Sequence, residues 1–170
     1  MFPSVTKLTA KDIERYIPLR MQMLTDAPWA FEATPDKDRA LDQEDLARSL
    51  SRPDFAIFAL EADKQSSVLV AATGIVRMDN PKFRHRAKIW GVFVDPAYRG
   101  RGYGRALMQS ALTLARSWRD LSYVDLGVSE NSPAALALYE SLGFREWGRE
   151  PATTRHDGSY YDEIHLSLKL

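Results

Sequence analysis

Val92-Phe93-Val94-Asp95-Pro96-Ala97-Tyr98-Arg99-Gly100-Arg101-Gly102-Tyr103-Gly104 is the stretch on which the fold of this chain turns. The apolar run from Ile89 to Val94 has strand composition and ends at Asp95-Pro96, where proline removes the N–H that a ladder requires. Glycines follow at three alternate positions, and helical spacing begins almost at once. A helix start presents unpaired N–H groups and the positive end of the helix dipole. Glycine lets a backbone approach an anion with no Cβ in the way. Arg99, Arg101 and Arg105 add positive charge, and a guanidinium can grip phosphate through two parallel bonds. On physical grounds alone, this is a phosphate site between a strand and a helix.

Spacing narrows the ligand. A dinucleotide fingerprint, G-x-G-x-x-G, would need glycine at 105 or 107, where Arg105 and Leu107 stand. The Gly-Lys-Ser/Thr ending of a P-loop is absent. A flexible turn with solvated arginines is the competing interpretation. Strand, proline stop, arginines and helix start all argue against it together.

Downstream of the loop, Ala106, Leu107, Ala111, Leu114, Ala115 and Trp118 share one helical face. Tyr123 to Val128 reads as a strand. Pro133 to Leu142 reads as a helix, with Pro133 in its first turn and Gly143 as its stop. Ile164, Leu166, Leu168 and Leu170 alternate with His165, Ser167 and Lys169, as in a half-buried terminal strand. Upstream, Phe55–Leu60, Val68–Val76 and Ala87–Val94 are apolar runs whose connections, around Asp63-Lys64 and Asp79-Asn80-Pro81, have turn composition. They predict an antiparallel meander. A short strand at Ser4–Leu8 precedes a helix capped by Thr9 and Asp12, with a kink or break expected at Pro18. A second helix is expected over about Asp42 to Leu50. The order β-α-α-β-β-β-α-β-α-β-β predicts an α/β fold with a mixed, mostly antiparallel central sheet flanked by helices.

A length of 170 residues suits one domain spanning 1–170. Lys plus Arg equals Asp plus Glu, which weighs against a general nucleic-acid or membrane-surface binder. The chain has no cysteine, so disulfides, thiolate metal sites and a Cys nucleophile are excluded. Met1-Phe2-Pro3-Ser4 lacks a signal-peptide pattern, and no apolar run approaches a membrane span. The expectation is a cytoplasmic protein with no metal.

The stretch Val92–Gly104 resembles the central motif of the GCN5-related N-acetyltransferases, (Arg/Gln)-x-x-Gly-x-(Gly/Ala), matched by Arg99, Gly102 and Gly104. The segment Ala135–Phe144 resembles that family's second conserved block. Together they cover roughly residues 87 to 148. The resemblance implies a family-type acyl-CoA N-acyltransferase fold with acetyl-CoA in a V-shaped opening between the strands ending near Val94 and Val128. Backbone groups of Val92, Phe93 and Val94 would pair with the pantetheine arm, and an N–H near Val94 would serve the oxyanion. The loop Arg99, Gly100, Arg101, Gly102, Tyr103, Gly104, with Arg105, would hold the pyrophosphate.

The resemblance also places the hydroxyl of Tyr139 near the cofactor sulfur, where it could protonate the departing thiolate. A phenol of pKa about 10 is protonated at pH 7. The family's pantetheine-binding asparagine would fall at position 132, which is Ser132, with Asn131 one residue early; both are candidates. Removing a proton from an alkyl ammonium at pH 7 costs on the order of 4–5 kcal/mol. The strand before the loop, Lys88-Ile89-Trp90-Gly91-Val92, offers no acid for that task. Glu130, Asp125, Glu32, Asp36 and the histidines 85, 156 and 165 remain open, so no base is assigned. Trp29, Phe31, Tyr160 and Tyr161, with Glu32, are expected to line an acceptor pocket built by residues 26–32 and a late loop, 151–160. The implied partner is a small-molecule or protein amine; a homodimer stays open. A non-catalytic acyl-CoA sensor and a mononucleotide-binding protein are the alternatives.

Overall fold

The computed structural model describes residues 4–63 and 66–170. Met1–Pro3 and Lys64 of the expected Asp63-Lys64 turn lie outside them. Along the chain run β1 (Thr6–Lys7), α1 (Ile13–Asp26), α2 (Gln43–Leu50), β2 (Phe55–Glu61), β3 (Leu69–Arg77), β4 (Arg86–Val94), α3 (Tyr103–Ser117), β5 (Tyr123–Ser129), α4 (Pro133–Ser141), β6 (Arg145–His156) and β7 (Ser159–Lys169). The order is the one the sequence predicts. The strands form one seven-stranded sheet, ordered β1-β2-β3-β4-β5-β7-β6. Every neighbouring pair is antiparallel except β4 and β5. Among the described residues, no helix is long and apolar enough to cross a membrane.

The sheet is covered on both faces. On one, Ala56, Phe58, Ile75, Ile89, Val124, Leu126, Ile164 and Leu166 pack under Leu107, Met108, Ala111 and Leu112 of α3, with Tyr139 of α4. On the other, Ile57, Ala59, Ala72 and Phe93 pack against Tyr16, Leu19, Met23 and Leu24 of α1 and Leu46 of α2. Double coverage is why β2 is a continuous apolar run rather than an alternating one.

Alternation along β4 changes phase midway. Ala87 and Ile89 face α3, yet Phe93 faces α1. The cause is a β-bulge: Ala72 opposes Phe93 and Gly74 opposes Trp90, so Gly91 and Val92 together face one residue of β3. Gly91 adopts φ +61°, a left-handed conformation that glycine reaches at little cost.

Three expectations need correction. α1 runs unbroken through Pro18. The bond lost there would have gone to the carbonyl of Glu14 in the exposed first turn, so only one helical bond is forfeited. Residues 151–160 are not a loop. They finish β6, turn at Asp157-Gly158 with φ of 47° and 80°, and start β7, as an Asp-Gly hairpin requires. The first strand is shorter than Ser4–Leu8: Thr6 and Lys7 stand in register with β2, and Leu8 adds one N–H bond to the Ile57 carbonyl.

Candidate active site

β4 and β5 run parallel for only three residue pairs, Arg86–Tyr123, Ala87–Val124 and Lys88–Asp125. The Arg86 guanidinium clamps Asp125 through bonds of 2.7 and 2.6 Å, and Ser167 Oγ donates to the same carboxylate. Past this clamp the strands part. β5 stays with β7 as far as Ser129 opposite Glu163, while β4 stays with β3 as far as Val94. Among the described residues, the β5-side edge of β4 from Ile89 onward is therefore without a strand partner. A cleft of about 920 Å³ opens here, lined by Trp90, Gly91 and Val92 of β4, Leu126 to Ser129 of β5, and Tyr139.

The glycine loop lies outside this cleft, after Val94. Gly100 and Gly102 have φ of +74° and +80°, and a Cβ at either would meet nothing within 4 Å. They supply left-handed turns under open space. Gly104 serves differently: a Cβ there would sit 3.1 Å from Leu138 Cδ2, so glycine lets α3 approach α4. The first helical bond runs from Ala106 N–H to the Gly102 carbonyl at 3.0 Å. The N–H groups of Tyr103, Gly104 and Arg105 precede it and have no carbonyl of their own helix to bond. The arginines brace the loop: Arg99 donates to the Val94 carbonyl at 3.0 Å, Arg101 to that of Ala97 at 3.1 Å, and Arg105 to Ser141 Oγ at 2.8 Å. Tyr103 stacks on Tyr98 with centroids 6.2 Å apart.

Tyr139 is 4 % exposed and meets Phe144 edge-on at 6.2 Å. Burial pushes its phenol up from the ordinary 10, so the group stays a proton donor. Ser132 lines the cleft immediately before α4, whereas Asn131 is exposed and outside it. Among the residues expected at the site, Val92, Ser132 and Tyr139 line the cleft together. Phe93 turns its ring into the α1 core, and Val94 and residues 99–105 lie beyond the cleft.

On the α1 side, Arg20 donates to Asp38 through Nε at 3.1 Å and a terminal nitrogen at 2.7 Å. Its guanidinium carbon lies 5.8 Å from the ring centroids of both Phe31 and Trp90. Burial works to raise the Asp38 carboxyl; the Arg20 guanidinium and the Ala40 N–H outweigh it and hold the group below its ordinary 3.8. Trp29, Phe31 and Glu32 line the cleft, and Tyr161 packs on Trp29 at 6.5 Å. Tyr160 does not join them: it is 62 % exposed, at the hairpin's solvent end with Arg155 over its ring.

Most carboxylates and histidines left open by the sequence have other partners. Asp125 belongs to Arg86. Glu130 accepts from Asp162 N–H at 3.0 Å, and Asp36 accepts from Thr34. His165 stacks on Trp147 and sits 3.3 Å from Glu150, His156 faces Asp157, and His85 meets the Tyr123 ring. Sequence reasoning passed over Glu163. It lines the cleft beside Gly127, one residue before the alternating run from Ile164, whose phase assigns position 163 to the polar face. One ligand-type atom each from Glu150, Glu163 and His165 lie within 4.8 Å of one another.

The comparisons with known proteins agree with this architecture. The family described as "Acetyltransferase (GNAT) family" matches residues 21–144. The N-alpha-acetyltransferase RimI of Mycobacterium tuberculosis is 33% identical over 147 residues, covering 85% of this chain and 80% of that protein. An uncharacterized protein of Mycobacterium leprae is 35% identical over 146 residues, 85% of this chain but 35% of its own length. Six further curated relatives are covered over 20% to 54% of theirs. A phosphinothricin acetyltransferase from Sinorhizobium meliloti, solved with acetyl-CoA, superposes with a TM-score of 0.83 at 17% identity, covering 100% of this chain and 89% of that one.

The family match over residues 21–144 and the mixed sheet shared with that solved structure define an acetyltransferase domain. The chain belongs to the GNAT family of acetyltransferases.

Proposed function

We propose that this chain transfers the acetyl group of acetyl-CoA to a primary amine by direct attack of the amine on the thioester. The observation that carries this reading is the unpaired β5-side edge of β4, opening into a cleft that Tyr139 also lines. An unpaired strand edge offers N–H and C=O groups to an extended ligand, as the amide-bearing pantetheine arm is. Backbone groups of Val92, Phe93 and Val94 take that arm, Ser132 gives it a polar contact, and an N–H near Val94 receives the oxyanion. The open space over Gly100 and Gly102 and the free N–H groups at the start of α3 fit a pyrophosphate, with Arg99, Arg101 and Arg105 supplying positive charge. Tyr139, kept protonated by burial, gives its proton to the thiolate.

The amine enters from the α1 side, past Trp29, Phe31 and Glu32, with Glu32 attracting a cationic acceptor. Free-thiol release from acetyl-CoA tests the reading across peptides with a free α-amine, a peptide bearing only a lysine side-chain amine, and single amino acids. At least one amine is expected to be turned over. Tyr139→Phe is expected to lower kcat about 100-fold while stabilisation by acetyl-CoA persists. Unchanged kcat would remove the acid role of Tyr139. Binding of acetyl-CoA with no turnover of any amine would leave an acyl-CoA-binding module instead.

A further inference from the structure

We propose that Glu163 is the general base that takes the proton from the acceptor amine, an inference that rests on the acetyl-transfer reading above. Its carboxylate is half-buried, lines the cleft, and has no hydrogen bond or ion pair among the described residues. The other cleft carboxylates on the acceptor side are engaged or solvated. Asp38 is held by Arg20, Asp79 by Arg52, Asp45 by Arg48, and Asp162 by the Ala152 N–H, while Glu32 is exposed.

The placement of Glu163 is built into the sheet. Ile164, Leu166 and Leu168 of β7 face the α3 core, so Glu163 stands on the opposite, α1 face. It reaches across β5 over Gly127. A Cβ on residue 127 would lie 1.6 Å from Glu163 Oε1, so only glycine leaves the carboxylate its position. Gly127 lies two residues past Asp125, where the ladder to β4 has ended. The carboxylate is therefore presented to the mouth of the opening, with no Cβ beneath it. Tyr139 lies with the α3–α4 core on the other face. Base and acid thus stand on opposite sides of the sheet, as needed when the amine arrives from one side and the thiolate departs on the other.

The protons balance. Glu163 takes one from the ammonium, and the freed nitrogen pair forms the C–N bond as the carbonyl becomes an oxyanion. The oxyanion re-forms the carbonyl, the C–S bond breaks, and its electron pair leaves on sulfur, which takes the Tyr139 proton. The nitrogen loses its second excess proton, which restores the tyrosine hydroxyl through solvent. Charged and titratable groups face Glu163 from the neighbouring elements. Glu150 of β6 stands directly opposite, and His165 lies two residues along β7 within reach of both carboxylates. Asp162 is its β7 neighbour, β5 offers only Gly127 and Ser129, and Arg20 of α1 and Lys88 of β4 line the same cleft. The exposed Glu150, bonded to His165, gives the captured proton a way to solvent.

The test compares wild type, Glu163→Gln and Gly127→Ala between pH 6 and 10, using thiol release with the best of the peptide and amino-acid acceptors. At pH 7, kcat/KM should fall about 100-fold in Glu163→Gln, through kcat, with stabilisation by acetyl-CoA retained. The deficit should shrink as pH rises toward the amine's own pKa, because solvent then removes the proton. Gly127→Ala, which displaces the carboxylate without deleting it, should show the same deficit and the same recovery. A Glu163→Gln profile parallel to wild type, a rise in KM alone, or full activity in Gly127→Ala would overturn the proposal. No turnover of any amine by the wild type would instead overturn the acetyl-transfer reading beneath it.

Discussion

On the α3–α4 face of the sheet, the groups proposed to meet the ligand are mostly backbone: the free edge of β4, the left-handed turns at Gly100 and Gly102, and the N–H groups that open α3. On the α1–α2 face the cleft is walled by side chains that come from distant parts of the chain. Arg20 pairs with Asp38, Trp29 meets Tyr161, and Thr154 donates to the Trp29 carbonyl at 3.1 Å. In the proposed function, the first face meets what every acetyl-CoA molecule shares. The second can be rebuilt by substitution without disturbing the first, which is how one scaffold serves different acceptors.

The largest effect expected from breaking this asymmetry lies on the acceptor face. Asp38→Asn leaves the Arg20 guanidinium buried without its counter-charge and should cost about 3 kcal/mol of stability, read by chemical denaturation. Asp38 titrates below its ordinary value in the folded chain, so its contribution is full above pH 4 or so and is lost as pH falls through the lower, folded value. The stability gap between wild type and Asp38→Asn should therefore narrow on acidification. A gap independent of pH would show that the ion pair does not hold this wall. A smaller effect is expected from Gly102→Ala on the other face. Its φ of +80° is strained for alanine by about 1–2 kcal/mol. Acetyl-CoA affinity should weaken about tenfold with the amine KM unchanged. A raised amine KM at unchanged acetyl-CoA affinity would contradict the division between the faces.

Legibility followed the same asymmetry. The strand, loop and helix start of the proposed cofactor face were readable because they are contiguous: a strand, Asp95-Pro96, three glycines and a helix start. Even there Gly104 proved to serve packing against Leu138, since one-dimensional spacing cannot distinguish a glycine that clears a ligand from one that clears a neighbouring helix. The β4 bulge also escaped notice. Gly91 gives no local sign that one residue of β3 will face two of β4. The acceptor face was less readable because its members meet through pairing register. Glu163 gains meaning only when β7 lies beside Gly127 of β5, and Tyr160 loses its expected role because the Asp-Gly hairpin carries it to solvent. Pro18 and the 151–160 segment were misjudged on local rules that an exposed first turn and a hairpin override.

The most direct test of the account is thermal unfolding of the wild-type chain with acetyl-CoA, CoA or ATP added. A ligand that binds the folded chain alone raises its stability, by about 2.7 kcal/mol at a hundredfold excess over Kd. A saturable upward shift in Tm is expected with acetyl-CoA and with CoA, and a much smaller one with ATP. A shift with ATP and none with CoA would contradict it, leaving the glycine loop as a nucleotide site.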